Sequence, residues 1–377
     1  MTSNKKIWLS SPHIGNESRR YVDEAFDLNW IAPVGPHIDQ FEDKLSEISL
    51  GNNIAALSSG SASIHLALIL LGVKNNDSVI CSSFTFSASA NPVKYLGANP
   101  IFVDSERESW NMCPKLLLKA INNEIKNNNK PRAIIIVHLY GMPAKIEEII
   151  EIANKYKIPV IEDAAEALGS KYNNQQLGTF SDFGIYSFNG NKIITTSAGG
   201  ALVSKSKEKI KQAKFLATQA RDEADHYQHS VVGYNYRMSN VCAAIGLGQL
   251  ELLSKRVSKK REIFNFYKNA LSDITDISFL DEYSGCFSNY WLTTILLDKN
   301  SAIGSEKLRL HLQLNDIESR PLWKPMHLQP VFKDCRSYVN GVSEDLFKRG
   351  LCLPSGTNMK TADLERIICV IKEIYEA

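Results

Sequence analysis

The sequence predicts an α/β protein: a large domain built on a mostly parallel sheet, residues 1–253, followed by a small C-terminal α/β domain, residues 254–377. Two observations predict it. Short apolar runs at 54–57, 78–82, 101–104, 133–138 and 158–163 alternate with stretches of helical period, the pattern of βαβ units. From about residue 255, a long basic-faced helix at 254–271 leads into a separate group of elements.

Taken in order, the chain begins with Ser11-Pro12-His13-Ile14-Gly15 and an amphipathic helix at about 17–28. A second helix carries Ile38, Phe41, Leu45 and Ile48 at helical spacing. The stretch between them, with Pro33, Val34, Gly35 and Pro36, reads as a fixed connector. After the strand at 54–57, Ser58-Ser59-Gly60-Ser61-Ala62-Ser63 turns into a helix reaching about residue 71. Backbone N–H groups in such a turn, beside the positive end of a helix, make an anion site; Ser and Gly also serve as ordinary caps. Phe84-Thr85-Phe86 follows the strand at 78–82 and precedes a helix of small residues at 87–95. Phe86 either covers a flat ring or packs in the core.

Residues 126–130 read as a surface loop, and 145–156 as a helix. The strand at 158–163 closes on Glu162 and Asp163. A carboxylate at the end of a buried strand is costly without a partner, so Asp163 calls for a protonated ring nitrogen or a neighbouring arginine. Glu166 lies about one helical turn on. Residues 183–188 and 201–203 are two further buried strands, and the small-residue loop between them holds Lys192. A lone lysine in such a loop is ordinarily a surface cation. A desolvated one is a nucleophilic amine able to form a Schiff base. Residues 210–260 are mostly helical, with breaks at 226–229 and 233–240; strand material returns at 291–297, and a helix at 361–375 closes the chain.

Composition narrows the function. Formal charge is 43 − 41 = +2, which gives no basic field for nucleic acid. The seven cysteines stand singly, without metal-ligand or Cys-x-x-Cys spacing, and read as reduced, mostly buried thiols. No metal site is expected. The longest apolar patch, near residues 66–71, is too short to span a bilayer, and the first nine residues lack the apolar core of a signal peptide. A cytoplasmic location without membrane contact is expected.

Placed at the carboxyl edge of one sheet, Gly60, Ser61 and Ser187 supply phosphate contacts, Phe86 a flat cover, Asp163 a buried carboxylate and Lys192 a Schiff-base amine. That set fits pyridoxal 5'-phosphate. The sequence resembles the DegT/DnrJ/StrS family of nucleotide-sugar aminotransferases along nearly its whole length. The resemblance rests on Ser-Phe-Thr-Phe at 83–86, Glu-Asp-Ala-Ala at 162–165, the Lys192 segment, Gly-Tyr-Asn-Tyr-Arg at 233–237 and Pro-Leu-Trp-Lys at 321–324. Stretches at 11–13, 138–141, 162–169, 188–192 and 353–357 are similar to the bacillosamine branch of that family.

The resemblance implies the aspartate-aminotransferase fold (fold type I of pyridoxal phosphate enzymes) and a homodimer with shared active sites. It implies that Lys192 holds the cofactor and moves the proton, that Asp163 pairs with the pyridine nitrogen, and that Glu166 stands beside the ring hydroxyl, where many relatives have Gln or His. It further implies that Phe86 stacks on the ring, that Gly60, Ser61 and Ser187 hold the phosphate, and that Asn235 reaches the phosphate of the neighbouring subunit. Pro33, Val34, Gly35, Tyr234, Arg237, Arg320 and His327 are candidates for the nucleotide-sugar site. The implied reaction takes the amino group of L-glutamate, releasing 2-oxoglutarate, and passes it through the pyridoxamine 5'-phosphate form to the C4 ketone of a nucleotide-linked 4-keto-6-deoxy sugar. The bacillosamine likeness implies UDP-4-keto-6-deoxy-N-acetylglucosamine; a GDP-linked 4-keto-6-deoxymannose or a 3-keto sugar is the alternative. A related dehydratase branch carries histidine in place of Lys192. A nicotinamide-dependent epimerase would need an N-terminal Gly-x-x-Gly-x-x-Gly turn, which is absent from the start of the chain. A cofactor-bearing protein without turnover is opposed by the intact Lys192, Asp163 and Phe86.

Overall fold

The computed structural model describes residues 5–376; the first four residues of the N-terminal segment, and Ala377, lie outside it. Helices α1 (Asn16–Asp27) and α2 (Pro36–Ile48) bury one face each on the first core, with Ile38, Phe41 and Leu45 of α2 inward. Strand β1 (Asn53–Leu57) runs into α3 (Gly60–Leu70), which is apolar all round because it is covered on every side. Strands β2 (Ser78–Ser82) and β3 (Asn99–Val103) flank a broken segment. The single helix expected at 87–95 is a 3-10 turn at Ser87–Ser89 and a short α4 (Asn91–Tyr95). Pro92 explains the break: it has no N–H to give and fits only a first turn.

Helix α5 (Pro114–Lys126) is not disclosed by strand or motif spacing, although it has the signals of a helix: Pro114 in the first turn and Leu117, Ala120 and Ile121 inward. Strand β4 (Ala133–Val137), helix α6 (Ile146–Lys155) and strand β5 (Val160–Asp163) follow as expected. A small hairpin, β6 (Lys171–Tyr172) and β7 (Gln175–Gln176), precedes the antiparallel pair β8 (Phe183–Ser187) and β9 (Gly200–Ser204). Helices α7 (Lys207–Ala217) and α8 (Asn240–Leu250) complete the first part of the chain, and α9 (Leu253–Ala270) leads into the second.

The remainder comprises β10 (Ile277–Phe279), β11 (Cys286–Phe287), β12 (Thr293–Leu297), α10 (Ser305–Leu314), β13 (Arg320–Pro321), β14 (Ser337–Tyr338), α11 (Val342–Arg349), β15 (Gly350–Leu353) and α12 (Thr361–Glu376). The eight-stranded sheet has the order β1-β9-β8-β5-β4-β2-β3-β14. Within it β9 alone runs against its neighbours, so β1, β2, β4, β5 and β8 all point their carboxyl ends to one edge. The second sheet, β10-β12-β15-β13, is built entirely from residues beyond α9, whereas β14 returns to the large sheet beside β3. The N-terminal segment lies along this second part through the pairing of Ile7 with Ile317.

One buried polar pair braces the sheet edge. His138 Nε2 lies 3.2 Å from Glu162 Oε2, and both side chains are fully buried. Glu162 also accepts from the N–H groups of Gly178, Phe180 and Ser181. Burial pushes this carboxyl up, but the His138 bond and charge and these backbone donors outweigh it and hold the group below the ordinary value. All seven cysteines are free; Cys81, Cys113 and Cys352 are buried, and Cys369 is exposed.

Candidate active site

The turn after β1 is set by close packing. Ser59 caps α3 by accepting from the Ala62 N–H at 3.0 Å. The N–H groups of Gly60 and Ser61 have no acceptor among the described residues, and both residues line a cavity of about 310 Å³. Gly200, on β9, lies against this turn so closely that a Cβ there would overlap the Gly60 nitrogen. Ser187, the last residue of β8, faces Gly60 across the same gap. Two free N–H groups, the positive end of α3 and a hydroxyl therefore converge on one spot, as an anion requires.

At the other end of the cavity stands Asp163, the last residue of β5 and 5% exposed. Its carboxylate accepts from Ser89 Oγ at 2.6 Å and from the Ala165 N–H at 3.1 Å, and Ser89 is in turn bonded to Thr85 Oγ1 at 2.7 Å. Among the described residues Asp163 has no salt-bridge partner, so the arginine alternative is not realised. A buried, hydrogen-bonded carboxylate that faces a cavity and has no cationic partner of its own fits a ligand that brings one.

Lys192 sits in the loop between β8 and β9, its ammonium 3.6 Å from Glu166 Oε1. Glu166 accepts the Tyr140 N–H at 2.7 Å. Burial raises the Glu166 carboxyl, and Lys192 and the Tyr140 bond offset only part of that. Tyr140 adopts the left-handed conformation (φ 55°, ψ 17°), uncommon for a bulky residue, and this aims its N–H at Glu166. It is wedged between Trp291 and Trp323, with ring centroids 6.4 and 6.1 Å away and nearly parallel planes. Its hydroxyl accepts from the Trp323 backbone N–H at 2.9 Å. Gly141 has φ +89°, and a Cβ there would overlap the Asn289 side chain.

Of the residues singled out in the sequence, Gly60, Ser61, Phe86, Asp163, Glu166, Ser187 and Lys192 all line this one cavity. Phe86 is 52% exposed at its mouth, next to Trp323 at 5.4 Å between centroids, so it does not serve as core. Arg320 lines a neighbouring cleft of about 720 Å³ that shares Asn191, Trp291 and Trp323 with the cavity. The other candidates lie elsewhere. Arg237 is bound to Glu42 at 2.7 Å and to the Ala56 carbonyl at 3.0 Å. Tyr234 stacks on Tyr236. His327 bridges Ser83 Oγ, at 2.6 Å, and Glu344. Pro33 and Val34 are exposed in their loop, with Gly35 against Asn240, and Asn235 is exposed on the outer surface. Ser89, Trp291 and Trp323 line the cavity without having been singled out as site residues in the sequence. Trp291 and Trp323 come from the second part of the chain, and only the Pro-Leu-Trp-Lys motif signals one of them.

The donor set has the chemistry of one ligand: an anion held at the Gly60–Ser61 turn, a cationic ring atom at Asp163, a flat aromatic face at Phe86 and a carbonyl within reach of Lys192. Pyridoxal phosphate carries all four, and the residues present fit it. No group of three or more His, Cys, Asp or Glu side chains among the described residues is placed to hold a metal ion. No helix among them is long and apolar enough to cross a membrane.

Comparison with known proteins agrees with this chemistry. The profile of the DegT/DnrJ/EryC1/StrS aminotransferase family matches residues 12–372. The chain is 50% identical over 376 residues to EpsN of Bacillus subtilis (strain 168), by name a pyridoxal phosphate-dependent aminotransferase, covering 99% of this chain and 96% of that one. It is 39% identical over 371 residues to the GDP-perosamine synthase of Escherichia coli O157:H7, covering 98% and 99%. The solved structure of a DegT DnrJ EryC1 StrS aminotransferase from Brucella abortus superposes with a TM-score of 0.89 at 29% identity, covering 96% of each chain.

Proposed function

The chain belongs to the DegT/DnrJ/EryC1/StrS aminotransferase family and is a pyridoxal phosphate-dependent aminotransferase; on that premise we propose that it moves the amino group of L-glutamate to the C4 ketone of a nucleotide-linked 4-keto-6-deoxy sugar. The observation that carries the site assignment is the meeting of Lys192 and Glu166 with the unpaired Asp163 in one cavity.

When bound, the cofactor accepts the amino group and draws off the electrons of the bond that breaks. The protein does the rest. The Gly60 and Ser61 N–H groups and Ser187 Oγ would hold the phosphate. Asp163, its carboxylate fixed by Ser89 and the Ala165 N–H, would keep a proton on the ring nitrogen. Lys192 Nζ takes the proton from the α-carbon of glutamate and, in the second half of the cycle, gives one to the sugar C4. Glu166, held by the Tyr140 N–H, would be the group that meets the ring hydroxyl. Phe86 and Trp323 exclude water from the cavity mouth.

The acceptor we favour is UDP-4-keto-6-deoxy-N-acetylglucosamine, on the bacillosamine-like stretches. A GDP-linked 4-keto-6-deoxymannose is the second reading, supported by the similarity to a GDP-perosamine synthase. The Arg320 cleft, open beside the cavity, is the place for the sugar nucleotide. A homodimer with shared sites is supported by the outward position of Asn235 and by the exposed apolar run of Trp30, Ile31 and Val34. We place the boundary of the small domain after residue 253, where α9 begins.

The test is an absorbance spectrum before and after L-glutamate, then with UDP- and GDP-linked 4-keto-6-deoxy sugars. A visible band that bleaches with glutamate and returns with one sugar supports the reading and identifies the acceptor. A protein that stays colourless when given the cofactor overturns it.

A further inference from the structure

Asn191 precedes Lys192, and its backbone carbonyl is gripped from two sides. The Trp291 indole N–H donates to it at 2.7 Å, and Ser10 Oγ donates to it at 3.2 Å. One buried ammonium joins the two donors: Lys260 Nζ donates to the Trp291 carbonyl at 2.7 Å and to Ser10 Oγ at 3.2 Å. The hydrogen bonds close a ring through the N-terminal segment, the β8–β9 loop, α9 and Trp291, two residues before β12. The Trp291 ring then lies against Lys192, with Nζ 4.2 Å from its centroid. Trp291 is itself fixed, because its backbone N–H donates to Asn289 Oδ1 at 2.8 Å. The Asn289 amide donates to the carbonyls of Glu166 and Leu168, at 2.9 Å each.

Lys260 is the unexpected member. It is 2% exposed on α9 and forms no salt bridge among the described residues. An unpaired buried ammonium is costly, and burial brings its pKa down to about 7. An apolar side chain of similar length would fill the space without that cost. What an apolar chain cannot do is donate to Ser10 and the Trp291 carbonyl together.

We propose that Lys260, Ser10 and Trp291 form a clamp that fixes the Asn191 carbonyl and so sets the direction in which Lys192 enters the cavity. They are positioning residues, acting on Lys192 through the Asn191 carbonyl and the Trp291 ring, although Trp291 also lines the cavity. Lysine has a flexible stem, and a proton carrier that must serve two carbons gains from a fixed root and a fixed wall. The Trp291 face supplies that wall and favours an ammonium lying on it. The clamp also ties Lys192 to the small domain, because Trp291 lies two residues before β12. The inference rests on Lys192 being the cofactor lysine.

The experiment strips the enzyme of cofactor, adds pyridoxal phosphate, and follows the rate of colour formation and the visible circular dichroism of the loaded protein. The kcat and KM of the glutamate half-reaction are measured alongside, and thermal melts confirm folding. The variants are Lys260→Met, Trp291→Leu, Trp291→Phe (ring kept, N–H removed), and the pair Ser10→Ala and Ser10→Thr. Loading in Lys260→Met and Trp291→Leu is expected to slow about tenfold and kcat to fall about 10- to 100-fold, with KM within about threefold. Visible circular dichroism should shrink with them, Trp291→Phe should lie between, and Ser10→Thr should recover what Ser10→Ala loses. Variants that melt like the parent and load with its rate and dichroism overturn the clamp. Should Lys260→Met or Trp291→Leu not fold, the Ser10 pair decides: equal behaviour of Ala and Thr overturns it. A Lys192→Ala control separates the two failures, since normal colour in that variant would sink the assignment of Lys192 itself and leave the clamp without an object.

Discussion

The carboxylate of Glu166 and the ammonium of Lys192, both largely buried, face each other at 3.6 Å in one cavity. Two titratable groups this close govern each other's charge, and here burial favours the neutral acid. The sign for stability follows. A carboxyl raised on folding contributes stability that is complete below its unfolded value and fades as pH rises through the folded value. In cofactor-free protein, Glu166→Gln should remove that fade. Thermal melts from about pH 4 to about pH 8 test it: the parent should lose stability relative to the variant as pH rises, and parallel curves would refute the assignment. The loaded enzyme should lose one inflection from the pH dependence of its visible absorbance.

Asp163→Asn removes the charge and keeps the shape. The Ala165 N–H donates to Oδ1 and Ser89 Oγ to Oδ2, so the amide can keep its oxygen on the Ala165 N–H and turn its NH2 to Ser89 Oγ, which can accept. The variant should fold and bind cofactor, yet its glutamate half-reaction should slow at least about 100-fold, because a neutral amide no longer holds a proton on the ring nitrogen. Single-turnover kinetics give the number. A variant within a few-fold of the parent would remove Asp163 from the mechanism.

The difference between what was legible and what was not is physical. Gly60, Phe86, Asp163 and Ser187 each follow or close a buried strand, and a parallel sheet delivers such positions to one edge regardless of the rest of the chain. Lys192 was legible because a lysine in a small-residue loop between two buried strands is conspicuous. Trp291 and Trp323 were not, since they reach the cavity only when the second part of the chain closes on the first. Ser89 was masked by the break at Pro92, and Lys260 by an amphipathic helix on which one more lysine reads as solvated. Arg237 shows the converse: a motif residue whose charge is spent on Glu42.

The His138–Glu162 pair should carry stability rather than chemistry. Removing one partner of a buried pair leaves the other uncompensated and costs about 3–5 kcal/mol. Glu162→Gln should show a loss of that order in denaturant titrations at neutral pH. Because the carboxyl is held below its ordinary value, the contribution is present above the unfolded pKa and lost as pH falls through the folded one. The gap between parent and variant should therefore narrow in acid. A gap that stays constant to the acid limit would mean that the pair is held by shape alone.

Lys260 makes the opposite prediction. Its unfolded pKa lies near 10.5 and its folded value is about 7, so the unfolded chain binds the extra proton between those limits. Stability must rise with pH across that window, by on the order of a few kcal/mol if nothing else titrates. Below about 7 the folded protein carries the charge and bears its full desolvation cost. Lys260→Met has no such proton, and its stability should be flatter from neutral to alkaline pH, even though it loses the bonds to Ser10 and the Trp291 carbonyl at every pH. The comparison is the slope of melting temperature against pH in cofactor-free parent and variant. Equal slopes would show that Lys260 keeps its proton in the fold and that the clamp closes on a permanent ammonium; a flatter variant would place its deprotonation at the clamp that holds the Asn191 carbonyl.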